Sequence, residues 1–107
     1  MGAATFKQTG HGRNARDAFF KAREDAAYEH GHGGYTGTLA EKNDFVEIRD
    51  VPGLGSADNE HAAKLIAHAH ADRLLQDDDP RISDKWGPAG CIQISSNTWL
   101  FFGWASD

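Results

Sequence analysis

The sequence predicts an α+β protein, a two-layer sandwich in which two helices cover one face of a largely antiparallel sheet. Two long segments carry small and apolar residues at the three- and four-residue spacing of amphipathic helices. Around them lie short segments that alternate like strands or are rich in aromatic residues. The predicted order is β-α-β-β-α-β-β, within a single domain that spans residues 1–107. Elements mixed in this way pack as layers around one core.

The first predicted strand and helix lie near the start of the chain. Residues 3–9 alternate as a strand does, and the Gly-His-Gly sequence at 10–12 ends the pattern. Asn14 then caps a helix over 14–30, with Asp17 in the capping-box position. The buried stripe of this helix comprises Ala15, Ala18, Phe19, Ala22 and Ala26. So many alanines predict close contact with the sheet, and Ala22 should be among the most buried helical residues.

The middle of the chain predicts a hairpin and a second helix. Strands over 35–41 and 45–49 would be joined by a turn at 42–44. Ser56, Asp58 or Asn59 would cap a helix over 57–76. Its predicted stripe comprises Ala62, Leu65, Ile66, Ala69 and Leu74. Ala69 should therefore be as deeply buried as Ala22.

The last two predicted strands, 91–95 and 98–104, follow an irregular connection over 77–90. Alternation places Trp99, Phe101 and Gly103 on one face of the last strand, and Leu100, Phe102 and Trp104 on the other. Helices on one side of a sheet bury only one face. The second row would be covered by the 77–90 loop closed by Trp86, by another subunit or by a partner. A homo-oligomer through this aromatic strand is one of these alternatives.

Composition excludes several classes of function. The net charge is −5 and the basic residues are dispersed, which argues against a nucleic-acid binder. No apolar run approaches the roughly 20 residues that cross a bilayer, and the polar start is not a signal peptide. The single cysteine, Cys91, rules out an internal disulfide framework. We therefore expect no membrane partner and a cytoplasmic location.

The segment 28–38 is the most distinctive part of the chain. It contains four glycines, two histidines and two tyrosines in eleven residues. A helix must end and reverse here, so at least two of its glycines should have positive φ. The glycines concerned are Gly31, Gly33, Gly34 and Gly37.

A metal site or a catalytic group gains little support from the spacing. His30 and His32 could point the same way in an extended segment, and Glu29 or His11 could join them. Zinc needs three or four ligands, however, and local spacing offers no ready third. We therefore predict no metal or other cofactor; if a metal binds, His30 and His32 are its ligands. Cys91 would need an activating base and is better explained as a buried core residue. The Gly-Leu-Gly-Ser sequence at 53–56 precedes a helix, where a phosphate could bind, but an ordinary capped loop explains it.

Two segments, Tyr28-Glu-His-Gly-His-Gly-Gly-Tyr-Thr-Gly-Thr-Leu-Ala-Glu-Lys42 and Asp84-Lys-Trp-Gly-Pro-Ala-Gly90, carry a resemblance. With them the chain resembles small uncharacterised proteins encoded by bacteriophages of actinobacteria. The resemblance implies the cytoplasm of an infected bacterium. It also implies an accessory protein that takes part in host takeover by engaging host or phage proteins.

The sequence thus favours a protein that binds a host or phage macromolecule, most readily a protein, over an enzyme. Its predicted binding residues are His30, His32, Tyr35 and Trp86. The alternative is a small metal- or ligand-dependent enzyme that uses the segment around His30 and His32.

Overall fold

A computed structural model of the protein describes residues 2–30 and 37–106, with the backbone alone at His30. The regular elements are two helices and four strands, joined by two short 3-10 turns. The strands are β1 (Ala3–His11), β2 (Phe45–Glu47), β3 (Ala89–Ser95) and β4 (Thr98–Ser106); the helices are α1 (Ala15–His30) and α2 (Glu60–Gln76); the 3-10 turns are Leu39–Glu41 and Leu54–Ser56. The predicted α+β class is confirmed. The described part of the predicted strand at 35–41 is wrong, because a 3-10 turn stands there.

The four strands form one sheet in the order β1-β4-β3-β2. β4 is antiparallel to both β1 and β3, and β2 is parallel to β3. Pairing is therefore largely antiparallel, as predicted. The last strand is inserted between the first and the third, so β4 is central and β1 and β2 form the edges.

The two helices lie on opposite faces of the sheet, so the predicted two-layer arrangement is wrong. Phe101 of β4 packs in a cluster with the α1 alanines and Phe19. Leu100 and Phe102, whose side chains point the other way, pack in a second cluster with the α2 alanines. The molecule is a three-layer sandwich with the sheet in the middle. A strand buried on both faces is apolar at every position, and the aromatic run of β4 has this property.

The sequence left open what covers the second row of the last strand, Leu100, Phe102 and Trp104. α2 covers it, whereas Trp86 is 66% exposed and belongs to neither core cluster. Both edges of β4 are paired within the chain. The alternative of a homo-oligomer through this strand therefore has no open strand edge to support it.

α1 matches its prediction closely. The side chain of Asn14 accepts a hydrogen bond from the Asp17 N–H at 2.8 Å, as a helix cap does. All five residues of the predicted stripe are buried, with Ala22 at 1% exposure. Gly10 lets the helix approach β1, since a Cβ there would lie 2.8 Å from the carbonyl oxygen of Ala18. β1 accordingly runs through Gly10 instead of ending before it.

α2 begins where expected but is rotated relative to its prediction. The side chain of Asn59 caps it by accepting from the Ala62 N–H at 2.8 Å. The buried residues are Ala63, Ala67, Ala71, Leu74 and Leu75. Of the predicted stripe only Leu74 is buried; Ala69 is exposed and Leu65 is 59% exposed. Alanines line both sides of this helix, and the side that allows the closest approach to the sheet is the one that packs.

Candidate functional site

The least expected feature of the structure is a buried lysine. Lys42 follows the first 3-10 turn and is 1% exposed. Its Nζ donates to three backbone carbonyl oxygens, those of Asp84 at 3.3 Å, Lys85 at 3.1 Å and Gly87 at 2.9 Å. Burial lowers the pKa of Lys42, and the nearby carboxylates of Asp84 and Glu41 oppose that change. Three carbonyl dipoles thus supply the partners that a buried ammonium needs.

The three carbonyls belong to one turn, residues 84–87, which we call the Trp86 turn. Its backbone is closed by a hydrogen bond from the Gly87 N–H to the carbonyl oxygen of Asp84 at 2.9 Å. The Asp84 side chain also accepts from the Trp86 N–H at 2.9 Å. The ammonium of Lys42 therefore holds a turn that is already fixed by its own bonds. A residue on this turn has little conformational freedom in its backbone.

Trp86 stands on this turn with 66% of its surface exposed. The Nζ of Lys85 lies 5.5 Å from the centre of its ring, within the range of a cation–π contact. The same ammonium donates to the carbonyl oxygen of Gly2 at 3.5 Å. The Trp86 turn therefore lies beside the start of β1.

The flanks of the glycine- and histidine-rich segment reach the same end of the fold. The Gly37 N–H donates to the carbonyl oxygen of Ser106 at 2.6 Å, and Ser106 pairs with Ala3 at the start of β1. α1 runs antiparallel to β1, because Ala18 lies against Gly10 while the carbonyl of Ala22 accepts from the Gln8 side chain. Its last turn, with Tyr28 at 89% exposure, therefore points to the start of β1.

Of the four predicted binding residues, the structure describes one side chain fully. Trp86 is exposed, as a binding residue must be. His32, Tyr35 and the side chain of His30 lie outside the described residues. Gly37 has a positive φ of 71°, and the other three glycines fall outside the described residues. That at least two of the four have positive φ stays a prediction.

The histidines of α2 do not assemble a metal site. Over residues 2–30 and 37–106, no three His, Cys, Asp or Glu side chains lie close enough together to hold a metal ion. The predicted ligand pair, His30 and His32, lies outside the described side chains.

Neither helix is both long enough and apolar enough to span a membrane within the described part of the chain.

A cleft of about 740 Å³ opens where β2 and β3 end, at the opposite end of the fold from the Trp86 turn. Cys91 lines it, and burial together with the nearby Glu47 carboxylate raises the pKa of this thiol to about 12. The Glu47 carboxylate accepts a hydrogen bond from Arg49 Nε at 2.9 Å. A protonated thiol beside a paired carboxylate is not an activated nucleophile. Cys91 is the core residue that the sequence predicts.

The loops near this cleft are held by their own turns, caps and hydrogen bonds. The 53–56 loop forms a 3-10 turn with Gly53 at a φ of 83°, and the cap of α2 that follows is already supplied by Asn59. Arg81 joins two further loops: its Nη1 lies 2.9 Å from Asp50 Oδ1, and its Nε lies 2.9 Å from Asp79 Oδ1. These bonds hold the pKa values of Asp50 and Asp79 below the ordinary value.

Sequence reasoning missed Lys42 as a member of the site. It stands in the polar run 41–44, which is typical of an exposed turn. The one signal was indirect: Lys42 ends the distinctive segment 28–42, and the Trp86 turn begins the segment 84–90. The structure joins these two segments through the Lys42 ammonium.

Comparison with protein-family models, with curated proteins and with solved structures finds no match for this chain. We therefore infer a function from the chain's own residues, foremost from the Trp86 turn and the buried Lys42 that holds it.

Proposed function

We propose that the protein acts by binding another protein, with Trp86 as the anchor of the contact. The observation that carries this proposal is the exposed indole on a turn tied down by the Lys42 ammonium. Tryptophan is enriched among the residues that dominate binding energy in interfaces. A side chain whose backbone is already ordered loses less entropy when it binds. The Trp86 turn combines both properties.

The surface around Trp86 supports the same proposal. Tyr28, the most exposed of the large apolar side chains at 89%, lies at the same end of the fold. His30 is the last residue of α1, and Gly37, which follows residues 31–36, is bonded to the end of β4. The described chain on both sides of residues 31–36 therefore lies at the end of the fold that carries Trp86. We propose that the contact surface combines them with the Trp86 turn.

The partner follows from the resemblance. A small accessory protein of an actinobacteriophage would meet its partner in the host cytoplasm, as a host or a phage protein. The chemistry at the Trp86 turn calls for a partner with an apolar recess that accepts an indole, bordered by an acceptor for the Lys85 ammonium. The net charge of −5 makes nucleic acid a poor partner.

The test compares single alanine variants in partner capture. Immobilised wild-type protein is incubated with a lysate of the actinobacterial host, the captured protein is identified and purified, and its dissociation constant is measured. Trp86→Ala should weaken binding at least tenfold, as truncation of an interface anchor does. Leu65→Ala is the matched control, because Leu65 is 59% exposed on α2 and has no part in this surface.

Circular dichroism and thermal unfolding establish that both variants keep the fold. Equal binding by wild type and Trp86→Ala would contradict the proposal. A double variant at Tyr35 and Trp86 then tests whether the segment 31–36 contributes, and should bind more weakly than either single variant.

A further inference from the structure

β1 is an edge strand of unusual regularity. It pairs with β4 on one side only, in the sheet order β1-β4-β3-β2. Its nine residues keep one register from Ala3 opposite Ser106 to His11 opposite Thr98, without a bulge. Strands in globular proteins average about five to six residues, so this edge is long as well as regular.

The register shows which backbone groups face the open side. Gly12 lies one residue beyond β1, and its N–H donates to the carbonyl oxygen of Asn97 at 3.1 Å, which continues the β1–β4 register. Alternate residues of an antiparallel strand bond to the same neighbour, so the even-numbered residues of β1 bond to β4. The odd-numbered residues direct their N–H and C=O groups outward: Ala3, Thr5, Lys7, Thr9 and His11. Within the described residues, no protein group forms a hydrogen bond with these outward backbone groups.

The usual protection of an edge strand is weak here. Natural edges are shortened, bulged, or blocked by proline or charged side chains. β1 contains no proline and one charged residue, Lys7. The Lys7 ammonium lies 2.8 Å from a carboxylate oxygen of Asp72 on α2, so its charge is neutralised within the same molecule.

We infer that β1 pairs antiparallel with β1 of a second copy of this chain, giving a two-fold symmetric dimer with a continuous eight-stranded sheet. The five outward residues are centred on Lys7, so a two-fold axis at Lys7 matches every outward group with another. Ala3 then lies opposite His11, and Thr5 lies opposite Thr9, a favourable cross-strand pair. Up to about ten backbone hydrogen bonds would form. A surface that complements itself in this way is what a two-fold dimer requires.

The one charge of the strand is compatible with a second copy and does not select a foreign peptide. Lys7 of one copy would lie opposite Lys7 of the other, and like charges so placed repel each other. The Asp72 carboxylate of each copy offsets this repulsion, because it already holds the ammonium at 2.8 Å. β1 has no other charge with which to select an acidic or basic peptide.

The first measurement is the mass of the protein in solution, by sedimentation and light scattering over a wide concentration range. The expected result is a reversible dimer of twice 11.7 kDa. Thr5→Pro should weaken dimerisation at least tenfold, because proline removes one outward N–H while the bonds to β4 stay intact. Thr5→Ala keeps that N–H and should lose less than about fivefold. Asp72→Asn should also weaken the dimer, since it leaves the two lysines opposed.

A second measurement needs no variant. Hydrogen exchange of the Thr5, Lys7 and Thr9 amides should slow as the concentration of wild-type protein rises, whereas the already bonded Phe6 and Gln8 amides should change little. A protein that stays monomeric at the highest concentration usable for NMR would overturn the inference. So would a dimer that Thr5→Pro leaves unchanged, or outward amides that become protected only by a strand from another protein.

Discussion

Removing the ammonium of Lys42 tests how the structure presents Trp86. We consider Lys42→Met, which keeps the apolar stem of the side chain and deletes the donor to the carbonyls of residues 84, 85 and 87. The variant therefore isolates the ammonium from the packing of the methylene groups. It leaves Trp86 itself unaltered.

The expected loss of stability follows from the three carbonyls. A buried acceptor that loses its donor costs about 1–3 kcal/mol, and the low end applies because Asp84 is exposed and the other two residues are half-buried. Three such groups give about 3 kcal/mol. Methionine recovers a part, because the variant no longer buries a charge. We expect Lys42→Met to lower the free energy of unfolding by about 2–3 kcal/mol, and Lys42→Ala by about 2 kcal/mol more for the lost methylene groups.

The assay is denaturant unfolding followed by circular dichroism, with the stability change taken from the midpoint at constant slope. Lys85→Met is the matched control, because the Lys85 ammonium belongs to the same turn but is bound only weakly, through a 3.5 Å hydrogen bond to the carbonyl oxygen of Gly2 and a cation–π contact with Trp86. It should change stability by less than about 0.5 kcal/mol. In fluorotryptophan-labelled protein, the Trp86 resonance should report a larger increase in motion in Lys42→Met than in the control, which loses only the cation–π contact of that ring.

A Lys42→Met variant within about 0.5 kcal/mol of wild type would refute the reasoning. It would mean that water satisfies the three carbonyls without cost and that the turn is ordered by its own bonds alone. The role assigned to Lys42 in ordering the turn would then fall, although the turn would keep its own hydrogen bonds and the indole would stay exposed.

Three further predictions concern the core, the acid response and the thiol. Gly10→Ala should destabilise the protein by about 1–3 kcal/mol, because the new methyl would overlap α1. Gly55→Ala is the control and should not destabilise it, because its Cβ would meet nothing within 4 Å. Equal unfolding midpoints of the two variants in denaturant would contradict the prediction. The two aspartates bonded to Arg81 have lowered pKa values, so the folded state binds protons more weakly there than the unfolded state. Their contribution to stability is complete above pH 3.8 and is lost as the pH falls below it; Arg81→Met should flatten this decline in unfolding curves measured at several pH values. Cys91, with a pKa raised to about 12, should react with thiol reagents only when the protein unfolds, and rapid labelling of the native protein would disprove its burial.

The sequence predicted α1 well because its pattern permits one interpretation. Phe19 is the only large residue among four alanines of the stripe, and Asn14 precedes it at the position of a cap. In α2, alanines occur on both sides, so large side chains such as Leu65 were assigned to the core. The other alanine side packs against the sheet instead. Close approach of the helix to the sheet stabilises the fold more than the burial of one leucine does.

The placement of the helices and the site depended on interactions that no local pattern encodes. The run from Trp99 to Trp104 is apolar on both faces, which indicates a central strand, but the order of strands is set by pairing over nearly the whole chain. Lys42 has the sequence context of an exposed turn. Its burial depends on a loop more than forty residues later that offers three carbonyls to one ammonium.

The central position of β4 has a consequence for how the protein is made. On the ribosome, β1 emerges first, yet the strand that pairs with it is the last element of the described chain. Until residues 98–106 leave the exit tunnel, neither β1 nor β3 has its antiparallel neighbour. The two core clusters, one on each face of the sheet, also lack the β4 side chains that belong to them. We expect the apolar segments of the nascent chain to stay exposed until this strand is released, as in other folds that depend on long-range pairing. A stalled or clipped chain without this strand would lack both antiparallel pairings of the sheet, and we expect it not to fold.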